Sequence, residues 1–164
     1  MALIKEDKLV DDSFVCIEAD AELPATGAVV VDLERWQSEH EKLLQRGEPL
    51  GVRLTSEQSP DLVGAGLDKL AVIALEFPAF RDGRAYSYAR LIREKYGFTG
   101  ELRAVGDVLL EQLHFMVRTG FDAFEIESED PLGDFEVAAG DFTVWYQPTA
   151  DGRHTAVELR QQGS

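Results

Sequence analysis

Cysteine is almost absent from this chain: Cys16 is the only one among 164 residues. An intramolecular disulfide framework and an iron–sulfur cluster held by four thiolates are both excluded. Cys16 lies in the apolar run Phe14-Val15-Cys16-Ile17, with no histidine nearby in sequence. Such surroundings raise a thiol pKa and make it inert. Positive charge is also scarce, with 16 Lys and Arg against 31 Asp and Glu and a net charge of −15. A nucleic-acid grip needs basic surface to displace counterions, and docking on an anionic membrane needs the same. No apolar run approaches the length of about 20 residues that spans a bilayer. The N-terminus MALIKEDKLVDD lacks the apolar core of a signal peptide. These absences lead to the expectation of a reducing, cytoplasmic setting.

Motifs for familiar chemistry are missing too. His40, His114 and His154 are scattered, and Glu39-His40-Glu41 lacks the second histidine four residues on that a zinc helix needs. His40 shares a helix face with Trp36 and Leu44 and reads as a packed or boundary histidine. Gly64-Ala65-Gly66 is too short for a phosphate loop, and Ser87 stands at a helix start rather than in a nucleophile elbow. No metal site and no cofactor are expected.

What is present is a regular alternation. Length and ordinary globular composition favour one domain over 1–164. Its first 27 residues read as an irregular acidic arm or edge strand, closed by Pro24 and Gly27, and 28–164 as a βα core. Apolar runs at 28–33, 51–54, 71–77, 101–105 and 123–126 read as buried strands. Between them lie helical stripes. Trp36, His40, Leu43 and Leu44 make the first, stopped by Gly47. Ala85, Tyr88, Ala89, Ile92 and Tyr96 make the second. Leu109 or Leu110, Leu113, Met116 and Val117 make the third, with Asp107 as expected N-cap and Gly120 as stop. Residues 60–70 read as a loop with a short helix. Strand–helix–strand units of this length favour parallel pairing with right-handed crossovers. The fold class is therefore α/β, with about five mostly parallel strands in an open sheet or a partial (βα) barrel. A partial barrel exposes sheet edges that a homodimer would cover.

Alternation puts Arg53, Arg103 and Glu125 at inner strand positions, where burial on both faces would demand apolar residues. On neighbouring strands and one face, Arg103 and Glu125 would form a buried ion pair suited to a polar interior or ligand pocket. The other reading places one or more of these side chains at a strand end in water.

Anion binding is the chemical theme with some weight. Pro78-Ala79-Phe80-Arg81-Asp82-Gly83-Arg84 and Gly106-Asp107 each join a strand to a helix. In parallel α/β folds such loops share the C-terminal edge of the sheet, where ligands bind and helix N-termini offer free N–H groups. Arg81, Arg84 and Arg103 would supply forked donors for an oxyanion, with Asp82 and Asp107 beside them. Arg84 and Asp107 are expected to converge at one rim. The alternative is that Arg84 pairs with Asp82 or Asp107 and pins the loop. Asp82, Asp107 and Glu76 could divide acid and base roles, but with 31 carboxylates chance proximity is expected and no catalysis is assigned. Glu125, Glu127, Glu129 and Asp130 form a negative stretch that would steer a basic partner or simply keep the protein in solution.

Within Leu75 to Ile126 the motifs are Phe77-Pro78, Phe80, Asp82-Gly83-Arg84, Ser87, Ala89-Arg90-Leu91 and Arg93. Then come Gly100-Glu101-Leu102-Arg103-Ala104-Val105-Gly106-Asp107-Val108, Gln112 and Gly120-Phe121-Asp122-Ala123-Phe124. Together they closely resemble a bacterial family catalogued as domain of unknown function 934, whose members carry the label "oxidoreductase probably involved in sulfite reduction". Glu111 departs from an aspartate associated with that position, keeping the charge. The resemblance implies a place in assimilatory sulfate and sulfite reduction, beside sulfite reductase and phosphoadenylylsulfate reductase, and adds Gln112 to the candidate ligand residues. It carries over no catalytic residue and no cofactor. Two roles follow as expectations. One is an accessory protein that docks on sulfite reductase or its electron donor without a redox centre of its own. The other is a small enzyme or sensor binding an oxyanion or sulfur metabolite at the strand-to-helix loops. Whether the chain is an enzyme stays open.

Overall fold

The structure, a computed structural model, describes residues 1–79 and 81–140. Phe80, His154 and the part of the expected core beyond residue 140 lie outside the described residues. The chain opens with three short strands, β1 (Ala2–Lys5), β2 (Lys8–Val10) and β3 (Phe14–Cys16). Then strands and helices alternate: β4 (Ala28–Asp32), α1 (Leu33–Gln45), β5 (Leu50–Leu54), β6 (Val72–Phe77), α2 (Arg84–Arg90), β7 (Glu101–Gly106), α3 (Leu113–Thr119), β8 (Ala123–Ile126) and α4 (Pro131–Gly140). The five expected parallel strands are thus β4 to β8, each paired with the next in chain order.

Local chemistry sets these boundaries. The Asp32 carboxylate accepts from the Arg35 amide at 2.7 Å, which caps α1 and ends β4 one residue before the expected limit. Residues 60–70 form two 3-10 turns, Pro60–Val63 and Leu67–Lys69, that pack under Trp36. The Trp36 indole donates to the Val63 carbonyl at 2.9 Å. The second stripe becomes α2 followed by a π-helical turn, Leu91–Lys95, with Ala85, Ala89 and Ile92 buried. Arg93 on that turn donates to the carbonyls of Phe98, Gly100 and Gly120 and to the Asp122 carboxylate, tying the turn to the start of β8.

One face of the sheet carries Val29, Val31, Val52, Leu54, Ile73, Leu75, Leu102, Ala104, Phe124 and Ile126. These pack with the buried stripes of the helices into the apolar core. The opposite face carries the alternate residues, among them Arg53, Ala74, Glu76, Glu101, Arg103, Ala123 and Glu125, which the register sets side by side.

Of the two readings of the N-terminal segment, the edge strand holds at β3, while the irregular arm is corrected. Residues 2–16 supply both borders of the sheet, whose order is β2-β1-β8-β7-β6-β5-β4-β3. β1 runs antiparallel to β8, and β3 parallel to β4. In a flat sheet the seven gaps of about 4.8 Å would hold the two borders roughly 34 Å apart. Yet residues 11–13 alone join β2 to β3, and a link of that length reaches only about 14 Å. The sheet is therefore curled into an open half-barrel. Its helices lie outside, and residues 11–13 strap the inner face. Asp107 brings a second correction. It does not cap α3; a 3-10 turn, Leu110–Gln112, intervenes, and the Asp107 amide donates instead to the Phe77 carbonyl at 2.7 Å.

Candidate functional site

The inner face gathers charge around Arg103, whose side chain is 2% exposed. Alternation on β7 puts Glu101 on the same face, and the register of β7 with β8 brings Glu125 alongside. The strap delivers Asp12 from the far side. The guanidinium donates to Glu101 at 2.7 Å, to Glu125 at 3.2 Å, and in a fork to the two Asp12 oxygens at 2.7 and 3.1 Å. The Phe14 ring lies 5.8 Å from its central carbon. Four of its five N–H donors are thereby engaged. Lys5 reaches Glu101 at 2.9 Å from β1. In register with Arg103 across β6, Arg53 reaches Glu76, two residues nearer the rim, at 3.2 Å.

These contacts set the titration of the group. Burial disfavours a charged guanidinium, but Asp12 and Glu101 hold Arg103 above its ordinary value. Burial pushes the Asp12 carboxyl up. The Arg103 guanidinium and the Phe14 amide outweigh that and keep it below the usual range. The Cys16 side chain feels the same cluster from β3; its partly buried surroundings, and then Glu125, push the thiol up. A raised thiol pKa is the direction its sequence context implied, although Cys16 itself is exposed.

At the C-terminal rim the Asp82-Gly83-Arg84 turn closes on itself. Arg84 forks onto Asp82, Nε to Oδ1 at 3.0 Å and an Nη to Oδ2 at 2.7 Å, while its amide donates to the same carboxylate. The guanidinium also donates to the buried Ser56 hydroxyl at 3.1 Å. The Arg84 bond and the Ser56 hydroxyl hold Asp82 far below the usual carboxylate range.

The candidates therefore divide into separate groups. Arg84 and Asp82 come together, as the loop-pinning alternative describes. Arg84 and Asp107 share the rim, but Ser56 follows β5 and Asp107 follows β7, on opposite sides of β6. The Arg84 guanidinium turns to the β5 side. Arg81 and Asp107 are exposed. Arg103 sits inside the half-barrel among carboxylates. Gln112 is half-buried in the wall of an outer pocket of about 530 Å³ with Tyr86, Glu111, Phe115 and Thr119. Burial there pushes the Tyr86 phenol up to about 12.

The expected Arg103–Glu125 pair is present, and this removes Glu125 from the outer negative stretch. Glu127, Glu129 and Asp130 remain exposed. Sequence reasoning missed Asp12, Lys5 and Glu101. Glu101 left a signal, a second charge two residues from Arg103 in an apolar run. Asp12 left none, because only the curl of the sheet brings it there. Among the described residues no group of three or more His, Cys, Asp or Glu is placed to hold a metal ion. No helix is long and apolar enough to cross a membrane among the described residues.

Residues 51–157 match the family described as "Bacterial protein of unknown function (DUF934)". Nothing among the curated proteins matches the chain.

Proposed function

The chain belongs to the DUF934 family of bacterial proteins, and from that premise we propose that it is a cytoplasmic accessory protein of assimilatory sulfate and sulfite reduction. It docks on sulfite reductase or its electron donor and supplies no redox centre of its own. One observation carries this reading: three arginines of the inner face and rim are matched by the chain's own carboxylates, Arg103 by three, Arg84 by Asp82 and Arg53 by Glu76. Those arginines hold loops and strands together, so a substrate anion would have to displace intramolecular forks to reach them. The strongly acidic chain favours a protein partner with basic surface, mainly through the rate of encounter. Sulfite reduction as the setting rests on the sequence resemblance.

Affinity capture of the tagged protein from sulfate-grown cells should recover the reductase or its electron donor. A deletion strain should grow poorly on sulfate and normally on cysteine. Recovery of neither protein, with normal growth of the deletion strain on sulfate, overturns the proposal.

A second reading keeps the rim as an oxyanion or sulfur-metabolite site. The exposure of Arg81 and Asp107 in adjacent strand-to-helix loops favours it. Sulfite, sulfate or a sulfated nucleotide at a hundredfold excess over its Kd would add about 2.7 kcal/mol of stability. A thermal-shift screen detects this, and Arg81→Ala with Arg84→Ala should abolish the shift. No shift with any of these ligands, or one that survives both substitutions, removes this reading.

A further inference from the structure

Among the described residues no strand pairs with the outer side of β2. This strand pairs with β1 and stands last in the sheet order, so its outer edge presents main-chain N–H and C=O groups that another strand can use. Such edges are normally blunted by charge, proline or shortness; β2 has three residues and carries Lys8, but its central residue, Leu9, is apolar and 56% exposed. Met1 is exposed close by. A groove of about 430 Å³ opens on the inner face across β2, β1 and β8, lined by Met1, Leu3, Leu9 and Val10 with Asp11, Asp12 and Glu125. The pairing of Ala2 with Ile126 places Met1 beside Glu127, and Glu129 and Asp130 follow, all three acids exposed. Arg103 balances part of this charge from inside; Asp11 and Glu127 to Asp130 lie beyond it.

Charge chooses the occupant. A second copy carries the same −15, and a symmetric β2–β2 contact would set acid against acid. We propose that the free edge of β2 is a docking strand for an extended, basic segment of another protein. That segment would add main-chain hydrogen bonds to Lys8–Val10, lay an apolar side chain against Leu9, and direct Lys or Arg toward Asp11. The inference rests on the accessory reading only in requiring a protein partner; it does not require that partner to be the reductase.

The test uses the full chain and a labelled peptide of about ten residues that alternates lysine with valine, against a control with glutamate for lysine. In fluorescence anisotropy the lysine peptide binds saturably, the glutamate peptide does not, and added salt weakens binding. Amide exchange slows at Lys8–Val10 in the complex. Leu9→Lys and Asp11→Lys, both at exposed positions and checked for folding by circular dichroism, each weaken binding about tenfold or more. Equal binding of both peptides, indifference to both substitutions, or protection elsewhere overturns the proposal. So does sedimentation as a dimer that Leu9→Lys dissociates, which would make a second copy the occupant. If cell capture recovers no reductase while the peptide results hold, the named partner is wrong and the edge stands. If capture succeeds and ignores Leu9→Lys and Asp11→Lys, the edge is wrong.

Discussion

Without its guanidinium, the inner face would hold Asp12, Glu101 and Glu125 around a gap, with Lys5 as the adjoining cation. Removing one partner from a buried ionic group costs about 3–5 kcal/mol, more than the intact group contributes relative to an apolar filling. Arg103→Ala should lower stability by about that amount in urea denaturation. A loss within the noise of a surface substitution would mean the network is solvated. The pH response follows from Asp12. Its folded pKa lies below the ordinary 3.8, so the unfolded chain binds the proton first as pH falls. The stability this carboxylate contributes is complete above the unfolded value and is lost from about pH 5 downward. Denaturation at neutral and acid pH should therefore show a smaller acid loss for Asp12→Asn than for the parent. Asp122 works the other way: burial raises it, so in its window protonation favours the fold. At this scale the sequence was legible where a charge interrupts an apolar strand, as at Arg103, and illegible where the partner comes from a distant turn, as at Asp12.

At the scale of elements, Gly106 decides how β7 ends. Its φ of 88° lies in the left-handed region, and an added Cβ would stand 2.6 Å from the Phe77 carbonyl oxygen. That carbonyl accepts from the Asp107 amide, so glycine lets the two rim loops touch. Gly106→Ala should cost at least about 1–2 kcal/mol, the penalty of that backbone region, and should speed exchange of the Asp107 amide. An alanine variant as stable as the parent would show that the rim can reshape freely. The same glycine explains the misplaced helix start. Gly-Asp after a strand is a reasonable capping signal, but here the tight turn binds the Asp107 amide to β6 and delays α3 to Leu113. The five parallel strands were legible because their core-facing residues are apolar without exception. β1 and β2 were not, because a border strand of three or four residues buries too little to leave a pattern.

The whole molecule depends on the strap. Its short reach makes the curl obligatory, and the Asp12 fork to Arg103 fastens it across the inner face. Asp12→Ala should increase amide exchange through residues 11–16 while leaving β5 and β6 protected. A uniform increase would mean that the strap and the central sheet open together. This −15 chain keeps three arginines on or near its concave side, and each faces a carboxylate: a rim turn brings Asp82 to Arg84, neighbouring strands bring Glu76 to Arg53, and the strap brings Asp12 to Arg103.

Both borders of the sheet come from the first sixteen residues, and the strand that receives β1 is β8. During synthesis residues 2–5 leave the ribosome well over a hundred residues before β8 and must wait for it before they can pair. Such distant pairing is slow to form, and in the interval Leu3, Ile4 and Leu9 are uncovered. Until β8 emerges the β1–β2 segment is consequently open to premature aggregation, and a chaperone that shields it in that interval would raise the yield of folded protein.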